Sequence, residues 1–289
     1  MHMDTFWKTT ARAAGGLILA AALAAAQATI ARPGTVNYSE GQVTVDGSTV
    51  GSQSLGKVEV QPGQVLETQQ GKAEVLLTPG VLLRVDDNSD VRMVAAGLTD
   101  TRVEVLRGEA LLEVGELRKE NHIVVVVAGA GAEVADHGLY RFDANTPAAA
   151  VFDGKLRITQ NDRTIELGKG KQVLINSTGL LAPVKFDRDR KDGLYQWSSV
   201  RSQYMAEANA ASVRTLVVAG PGWYGPGWYW NSWYSTWAFV PGAGYWASPF
   251  GYNFYSPAYW RVAGPVVVAP RAVPNFYARG MARAPGFRR

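Results

Sequence analysis

The sequence predicts an all-β body followed by one C-terminal α-helix and an irregular, aromatic tail rich in Gly and Pro. Short runs that alternate apolar and polar residues recur every 8 to 15 residues between Val36 and Ile175, with no helical segment between them. One stretch with helical spacing follows. Because a parallel α/β fold would need helical crossovers, these observations favour a sandwich, a barrel or a stack of short β-coils.

The first 28 residues have the features of a secretory signal peptide. Lys8 and Arg12 precede the apolar run AAGGLILAAALAAA, which is short for a membrane span. The sequence AQA at Ala26 to Ala28 matches a small-residue cleavage site. We therefore expect a mature protein that starts near Thr29 and is exported to the periplasm, the cell surface or the medium. The alternative is an uncleaved N-terminal anchor.

Charge is distributed unevenly along the chain, which carries a formal net charge of +4. The signal segment carries +1 and the six arginines from Leu216 onward carry +6, so residues 29–215 carry −3. Outside the cell, a basic aromatic tail on a slightly acidic body suits anionic lipid or an acidic polysaccharide. The chain has no Cys, so stability outside the cell has to come from burial and hydrogen bonding.

The predicted strands of the body are period-two runs rich in Val, Leu and Ile. Turn sequences such as DGS at Asp46 and TPG at Thr78 separate them. HIVVVVA from His122 loses the alternation, which predicts a strand buried on both faces or one at the centre of the stack. The other runs are QVTV, KVEV, KAEVLL, VLLRV, DVRMV, RVEVLR, ALLEV, KLRIT, RTIEL and KQVLI.

This succession of strands and glycines resembles the FecR domain of periplasmic sensors and secreted bacterial proteins. The similarity covers about residues 34–176 and includes GQVTVDG, RVEVLRGEALLEV, GLYRFDA, AVFDGKLRI and ELGKGKQVLI. The resemblance implies an elongated β-sandwich or β-coil, here residues 34–182, used for binding or scaffolding and without enzymatic activity.

Two features depart from the FecR pattern. Sensors of the anti-sigma type have a cytoplasmic segment before the membrane, whereas here about a dozen residues precede the apolar run. The family's G-T-x-F strand is represented by GLYRF at Gly138 to Phe142, without the small hydroxyl residue. The first difference argues against a role in signalling.

Residues 183–215 are predicted to be helical. Apolar and aromatic residues recur there at steps of three and four, which indicates a helix from about Gly193 to Arg214. Its aromatic stripe of Trp197 and Tyr204 is expected to pack on the β body. An aspartate upstream is expected to cap the helix, and the candidates are Asp187, Asp189 and Asp192.

Residues 216–289 are the predicted tail. Of the 30 aromatic residues in the chain, 17 lie between Trp223 and Trp260. Prolines at short intervals predict little regular structure, apart from a short strand at TWAFV, and part of the tail is expected to be disordered. The candidate binding residues are Trp223, Trp228, Trp230, Trp233, Tyr234, Trp237, Trp246, Tyr259, Trp260 and Arg261.

The sequence contains no constellation typical of a catalytic, cofactor or metal site. His122 and His137 stand alone, without the spacing of paired ligands. DDNSD at Asp86 resembles the start of a calcium loop, but the glycine and the glutamate of that loop are missing. We therefore expect a protein that is not an enzyme and has no cofactor.

Four interpretations of the aromatic segment stay open. It packs against the body or self-associates with another copy; it attaches to the envelope through peripheral membrane contact; it binds polysaccharide; or it binds single-stranded nucleic acid, which does not suit an exported protein. We predict a non-enzymatic exported binding or scaffold protein of the cell envelope, whose partner is an envelope component, a polysaccharide or another protein. The alternatives are a periplasmic sensor-regulator of the anti-sigma type and a polysaccharide-binding protein that uses the tail.

Overall fold

A computed structural model describes residues 31–176, 178–189, 191–219 and 225–263. The predicted signal peptide, Trp223 and residues 264–289 lie outside the described residues. The described ranges contain nineteen strands, two α-helices and a short 3-10 helix at Ser52–Ser54. Neither α-helix in these ranges has both the length and the apolar character needed to cross a membrane.

Strands β1 to β15 form one sheet, which confirms the all-β body. The sheet has the order β13-β12-β9-β8-β6-β5-β3-β4-β7-β10-β11-β14-β15, with β1 beside β3 and β2 beside β1. Neighbouring strands are antiparallel except for the parallel pair β6 and β8. The bounds are β1 Thr35–Val45, β2 Ser48–Thr49, β3 Val65–Leu76, β4 Val81–Val85, β5 Asp90–Ala96, β6 Asp100–Arg107, β7 Glu109–Val114, β8 His122–Val127, β9 Ala130–Val134, β10 Gly138–Asp143, β11 Ala148–Asp153, β12 Lys155–Gln160, β13 Arg163–Gly168, β14 Lys171–Leu174 and β15 Val184–Lys185.

The sheet curls around one apolar core. Strand β13 contacts β11 and β14, so the two ends of the sheet come together, and β10 contacts β6 and β8 across the core. Inward-facing Val, Leu and Ile side chains fill this interior, as period-two alternation predicts. Of the predicted strands, KVEV is the exception, because its residues form only an isolated bridge between Glu59 and Thr35.

The strands that are buried on both faces are β4 and β7, and not β8, for which the sequence allowed such burial. In β8, Ile123 and Val125 are buried but Val124 and Val126 are only half-buried, so the prediction of a strand buried on both faces is wrong there. All five residues of β4 are buried, and so are five of the six in β7. The reason is that a second layer, built from the C-terminal part of the chain, covers the outer face of β4 and β7.

This second layer begins with helix α1, Gly193–Ala219, which starts at the predicted residue and runs five residues beyond the predicted end at Arg214. Asp192 is the N-cap, since its Oδ1 accepts a hydrogen bond from the backbone N–H of Tyr195 at 2.9 Å. Two hairpins and helix α2 follow. Their bounds are β16 Gly227–Asn231, β17 Thr236–Val240, β18 Tyr245–Ala247, β19 Asn253–Tyr255 and α2 Pro257–Ala263.

The prediction of an irregular tail is therefore wrong for residues 225–263, although the strand predicted at TWAFV is confirmed as β17. The prolines lie at the ends of elements. Pro226 precedes β16, Pro241 follows β17, and Pro249 lies in the β18–β19 turn. Pro257 occupies the first position of α2, where a missing N–H costs no hydrogen bond. Proline thus delimits short elements here instead of preventing them.

Candidate ligand-binding surface

A buried cluster of charged residues lies between the sheet and the second layer. Arg84 of β4 lies between Glu74 of β3 and Glu113 of β7; its Nε is 3.0 Å from Glu74 Oε2 and its Nη1 is 2.5 Å from Glu113 Oε2. All three side chains are fully buried. The cluster gives the outer face of the sheet a polar centre that needs partners from the layer above it.

The second layer supplies those partners. Arg201 of α1 places Nη2 2.9 Å from Glu74 Oε1, and the hydroxyl of Ser202 donates to Glu113 Oε1 at 3.0 Å. Ser248, just after β18, also donates to Glu113. Burial alone would raise the pKa of Glu74, but the guanidinium groups of Arg201 and Arg84 outweigh it and lower the pKa below its ordinary value. Helix, hairpins and sheet therefore share one set of hydrogen bonds.

Two of the candidate tryptophans belong to this packing. Trp237 is buried and donates from Nε1 to the carbonyl oxygen of Gly56 at 2.9 Å. Trp228 is also buried and packs edge-on against Phe239, with ring centroids 5.8 Å apart. Both are core residues of the protein, so the sequence-based choice of these two as ligand contacts is corrected.

The other described candidates keep some exposure. Trp233, in the β16–β17 turn, is 93% exposed, Trp230 is 44% exposed, and Arg261 is exposed on α2. Tyr234 is half-buried against Tyr204, whose hydroxyl donates to the Tyr234 carbonyl at 2.9 Å. The other half-buried candidates are Trp246, Tyr259 and Trp260.

Tyr245, which was not among the candidates, adds a ring at the surface. It is 53% exposed and lies beside Tyr259, with ring centroids 5.2 Å apart. Tyr255 stacks on Tyr259 at 5.9 Å with an angle of 14° between ring planes, and Trp260 packs edge-on against Tyr255 at 5.5 Å. These four residues, Tyr245, Tyr255, Tyr259 and Trp260, are called the aromatic strip. The only sequence signal for Tyr245 was its place among the other rings.

An open cleft adjoins the aromatic strip, and it is called the aromatic cleft. One wall is the segment from Pro241 to Trp246; the other contains Gly115, Glu116 and His137. Strand pairing of Gly138 with Val114 brings the end of β7 and the start of β10 together. Glu116 and His137 therefore lie at the same end of these two neighbouring strands.

A glycine makes room for the cleft wall. A Cβ atom at position 115 would lie 2.6 Å from the ring of Trp246, so only glycine lets this indole lie directly against the backbone. The ring of Trp246 also packs on Phe254, with centroids 4.8 Å apart. Trp246 therefore forms part of both the second-layer core and the cleft surface.

The polar side chains of the cleft are tied to their neighbours. Glu116 accepts from Arg118 Nε at 3.0 Å, and His137 Nδ1 lies 3.3 Å from Asp136 Oδ1. The hydroxyl of Tyr140 donates to the Asp136 carbonyl at 2.5 Å and accepts from the Lys155 N–H at 3.2 Å. Burial raises the pKa of Tyr140, which keeps its phenol protonated as a donor.

In chemical terms the cleft offers aromatic surface with one carboxylate and one imidazole at its edge. Among the described residues that line it, there is no Ser, Thr or Cys that His137 could activate as a nucleophile. Within the described ranges, no group of three or more His, Asp or Glu side chains is arranged to hold a metal ion. The arrangement is suited to holding a ligand that has both apolar faces and hydrogen-bonding groups.

Comparisons with known proteins assign no family. No protein family model matches the sequence, and no curated protein matches it. Two crystal structures of Parabacteroides distasonis proteins assigned as anti-sigma factors are similar, each with a TM-score of 0.39. The first is 17% identical over 44% of this chain and 61% of its own length; the second is 13% identical over 61% of this chain and 96% of its own length. At these TM-scores the matches transfer no function, and the FecR resemblance stays a prediction.

Proposed function

We propose that this chain is a non-enzymatic, exported binding protein of the cell envelope, in which the β body and the C-terminal segment together present the aromatic cleft. The observation that carries the proposal is the junction of Tyr245 and Trp246 with Glu116 and His137 in one open cleft. Aromatic surface with a few convergent polar groups is typical of binding sites.

The buried charged cluster supports a binding role for the second layer. Ser248 lies two residues beyond Trp246 and is bonded to Glu113 of the sheet, so the cleft wall is fixed to the β body. The other wall is held through the Tyr140 hydroxyl and the Asp136 carbonyl. A site whose walls are fixed before the ligand arrives loses less conformational entropy on binding.

The proposal of a non-enzymatic role rests on the cleft lining. Glycoside hydrolysis ordinarily uses two carboxyl groups across the scissile bond, and the lining residues that the structure describes include one, Glu116. That carboxylate is also paired with Arg118. The described lining therefore supplies contacts for holding a ligand, without a second lining carboxylate beside Glu116.

The test is co-sedimentation of the purified full chain with washed envelope fractions from a Gram-negative bacterium. We expect the wild type to sediment and Tyr245→Ala to weaken binding by about ten-fold, as for an aromatic contact residue. Trp233→Ala is the matched control, because Trp233 is a more exposed ring that does not line the cleft.

Two results would overturn the proposal. One is a wild-type protein that stays in the supernatant; the other is sedimentation that Tyr245→Ala leaves unchanged. Export is tested separately by fractionating the producing cells and sequencing the N terminus of the exported form, which is expected to start near Thr29. A chain recovered only from the cytoplasm would contradict this part.

A further inference from the structure

We infer that the aromatic cleft binds the sugar rings of an uncharged polysaccharide, a conclusion that rests on the proposed function and narrows its ligand. The tail composition suggests an acidic polymer, because six arginines follow Leu216. The described residues of the cleft instead favour a neutral polymer, because they combine aromatic rings with a carboxylate.

The rings of Tyr245 and Tyr259 provide two neighbouring apolar surfaces, whose planes are tilted by 49° to each other. Tyr245 borders the cleft, and Tyr259 continues the surface beside it at a centroid distance of 5.2 Å. Both side chains keep a solvent-accessible part. A pyranose ring has an apolar face of C–H groups and a periphery of hydroxyl groups, so it can pack on such a ring while its hydroxyl groups reach polar neighbours. Adjacent rings would contact successive sugars of a chain.

The polar edge matches hydroxyl groups better than anions. Glu116 is the one carboxylate among the described residues that line the cleft, and the carboxylate of Asp136 lies 3.3 Å from the ring of the cleft residue His137. Arg118 is already bound to Glu116 at 3.0 Å. A carboxylate, sulfate or phosphate group on the ligand would therefore meet like charge, whereas a hydroxyl group can donate to Glu116.

The described arginine of the tail does not alter this balance. Arg261 is exposed on α2 and is not among the residues that line the cleft. The side chains that fix the cleft walls are neutral donors, Tyr140 and Ser248. Among the described residues, the charge at the cleft is thus set by Glu116 and its partner Arg118 and not by Arg261.

The test is native affinity electrophoresis of the full chain in gels that contain a soluble neutral polysaccharide, with hydroxyethylcellulose, galactomannan and dextran as probes. Alginate and polygalacturonate serve as acidic comparisons. We expect at least one neutral probe to retard the protein, and the retardation to persist at about 0.5 M salt, where charge interactions are screened. Tyr245→Ala should weaken this binding about ten-fold, and Glu116→Gln should weaken it by a smaller factor.

Trp233→Ala is again the control and should leave the retardation unchanged. Variants are compared only after their melting temperatures show that they are folded. The inference is overturned if only acidic probes retard the protein, or if Tyr245→Ala leaves neutral-glycan retardation intact. Envelope sedimentation that depends on Tyr245 without any neutral-glycan binding would reject this inference and leave the proposed function standing.

Discussion

Glu74, Arg84 and Glu113 show how a residue's surroundings can differ from what its sequence pattern suggests. Each occupies a polar position in an alternating run, in KAEVLL, VLLRV and ALLEV. Such positions are normally half exposed. Here all three are fully buried, because α1 and the C-terminal strands cover this face of the sheet. Buried charges persist only when they are paired and hydrogen-bonded, and these are.

The first prediction concerns Glu74. Glu74→Gln removes a carboxylate that neutralises Arg84 and Arg201, so we expect the free energy of unfolding at pH 7 to fall by about 3 kcal/mol, as measured by denaturant titration. The control is Glu133→Gln. Glu133 pairs with Arg157 at 2.6 Å near the surface, and its replacement should cost less than about 1 kcal/mol.

The Glu74→Gln variant is also expected to change how the unfolding free energy depends on pH. The pKa of Glu74 is lowered in the folded protein, so its stabilising effect is complete above the ordinary value of 4.5 and is lost as the pH falls below that value. The unfolding free energy of the wild type should therefore decline more steeply below pH 4.5 than that of Glu74→Gln. Equal acid slopes would contradict the assignment of this carboxylate as ionised.

At the scale of the element, helix α1 depends on contacts at its start. Asp192 accepts from the Tyr195 N–H and also pairs with Arg141 of β10, Nη2 to Oδ2, at 2.5 Å. One side chain thus caps the helix and ties it to the sheet. Of the three aspartates that the sequence indicated, Asp192 directly precedes the helix and makes the capping bond, whereas Asp187 accepts from the backbone N–H of Asp189.

The second prediction is that Asp192→Ala lowers stability by about 1 kcal/mol, the usual effect of losing an N-cap, plus the contribution of the Arg141 pair. Asp192→Asn should retain most of the cap, since Asn is an equally good N-cap residue, and lose only the ion pair. Thermal unfolding followed by circular dichroism measures both. Asp189→Ala is the control and should have little effect. An Asp189→Ala loss as large as that of Asp192→Ala would refute the capping role.

The hairpin of β16 and β17 explains how a Trp-rich segment forms regular structure. Trp228 is buried in the core, whereas Trp230, two residues further along the same face of β16, is 44% exposed and packs edge-on against Trp237. Asn231 accepts from the backbone N–H groups of Trp233 and Tyr234 and thereby closes the turn. The prolines and glycines around β16 and β17 suggested irregular structure. They mark the ends of short strands.

At the scale of the whole molecule, the β body and residues 225–263 share a core. Leu76 and Leu82 of the sheet pack with Met205 of α1 and with Trp237 and Phe239 of β17. Removal of the tail would expose these side chains and would remove the Ser248 hydroxyl from the charged cluster. The tail is thus needed to complete the fold as well as to form the cleft.

The third prediction follows from this shared core. Trp237→Ala should lower the unfolding free energy by about 3–5 kcal/mol, since it removes a buried indole and its bond to Gly56. Trp233→Ala, at 93% exposure, should change it by no more than about 0.5 kcal/mol. Deletion of residues 216–289 should give an aggregated or protease-sensitive protein. A soluble truncated protein with an unchanged melting temperature would contradict a shared core.

The local pattern of apolar and polar residues was sufficient to predict most of the strands of the body. Period-two runs predicted the strands, three-and-four spacing predicted α1 from Gly193, and β17 was predicted from TWAFV. These features depend on side chains a few residues apart, which sequence displays directly. The candidate site was predicted less well. Two of the candidate rings, Trp228 and Trp237, are core residues, and the proposed cleft is lined by Tyr245, Glu116 and His137, which were not among the candidates.

The sequence by itself determined which segments are strands and helix, and where the aromatic side chains are concentrated. The tertiary structure alone decided which strand faces are covered and which rings stay at the surface. The physical reason is distance along the chain. Glu74 and Arg201 are 127 residues apart, and Asn37 and Trp237 are 200 apart, yet each pair is hydrogen-bonded. Alternation shows that a strand has two different faces, but only packing between remote segments determines what each face meets.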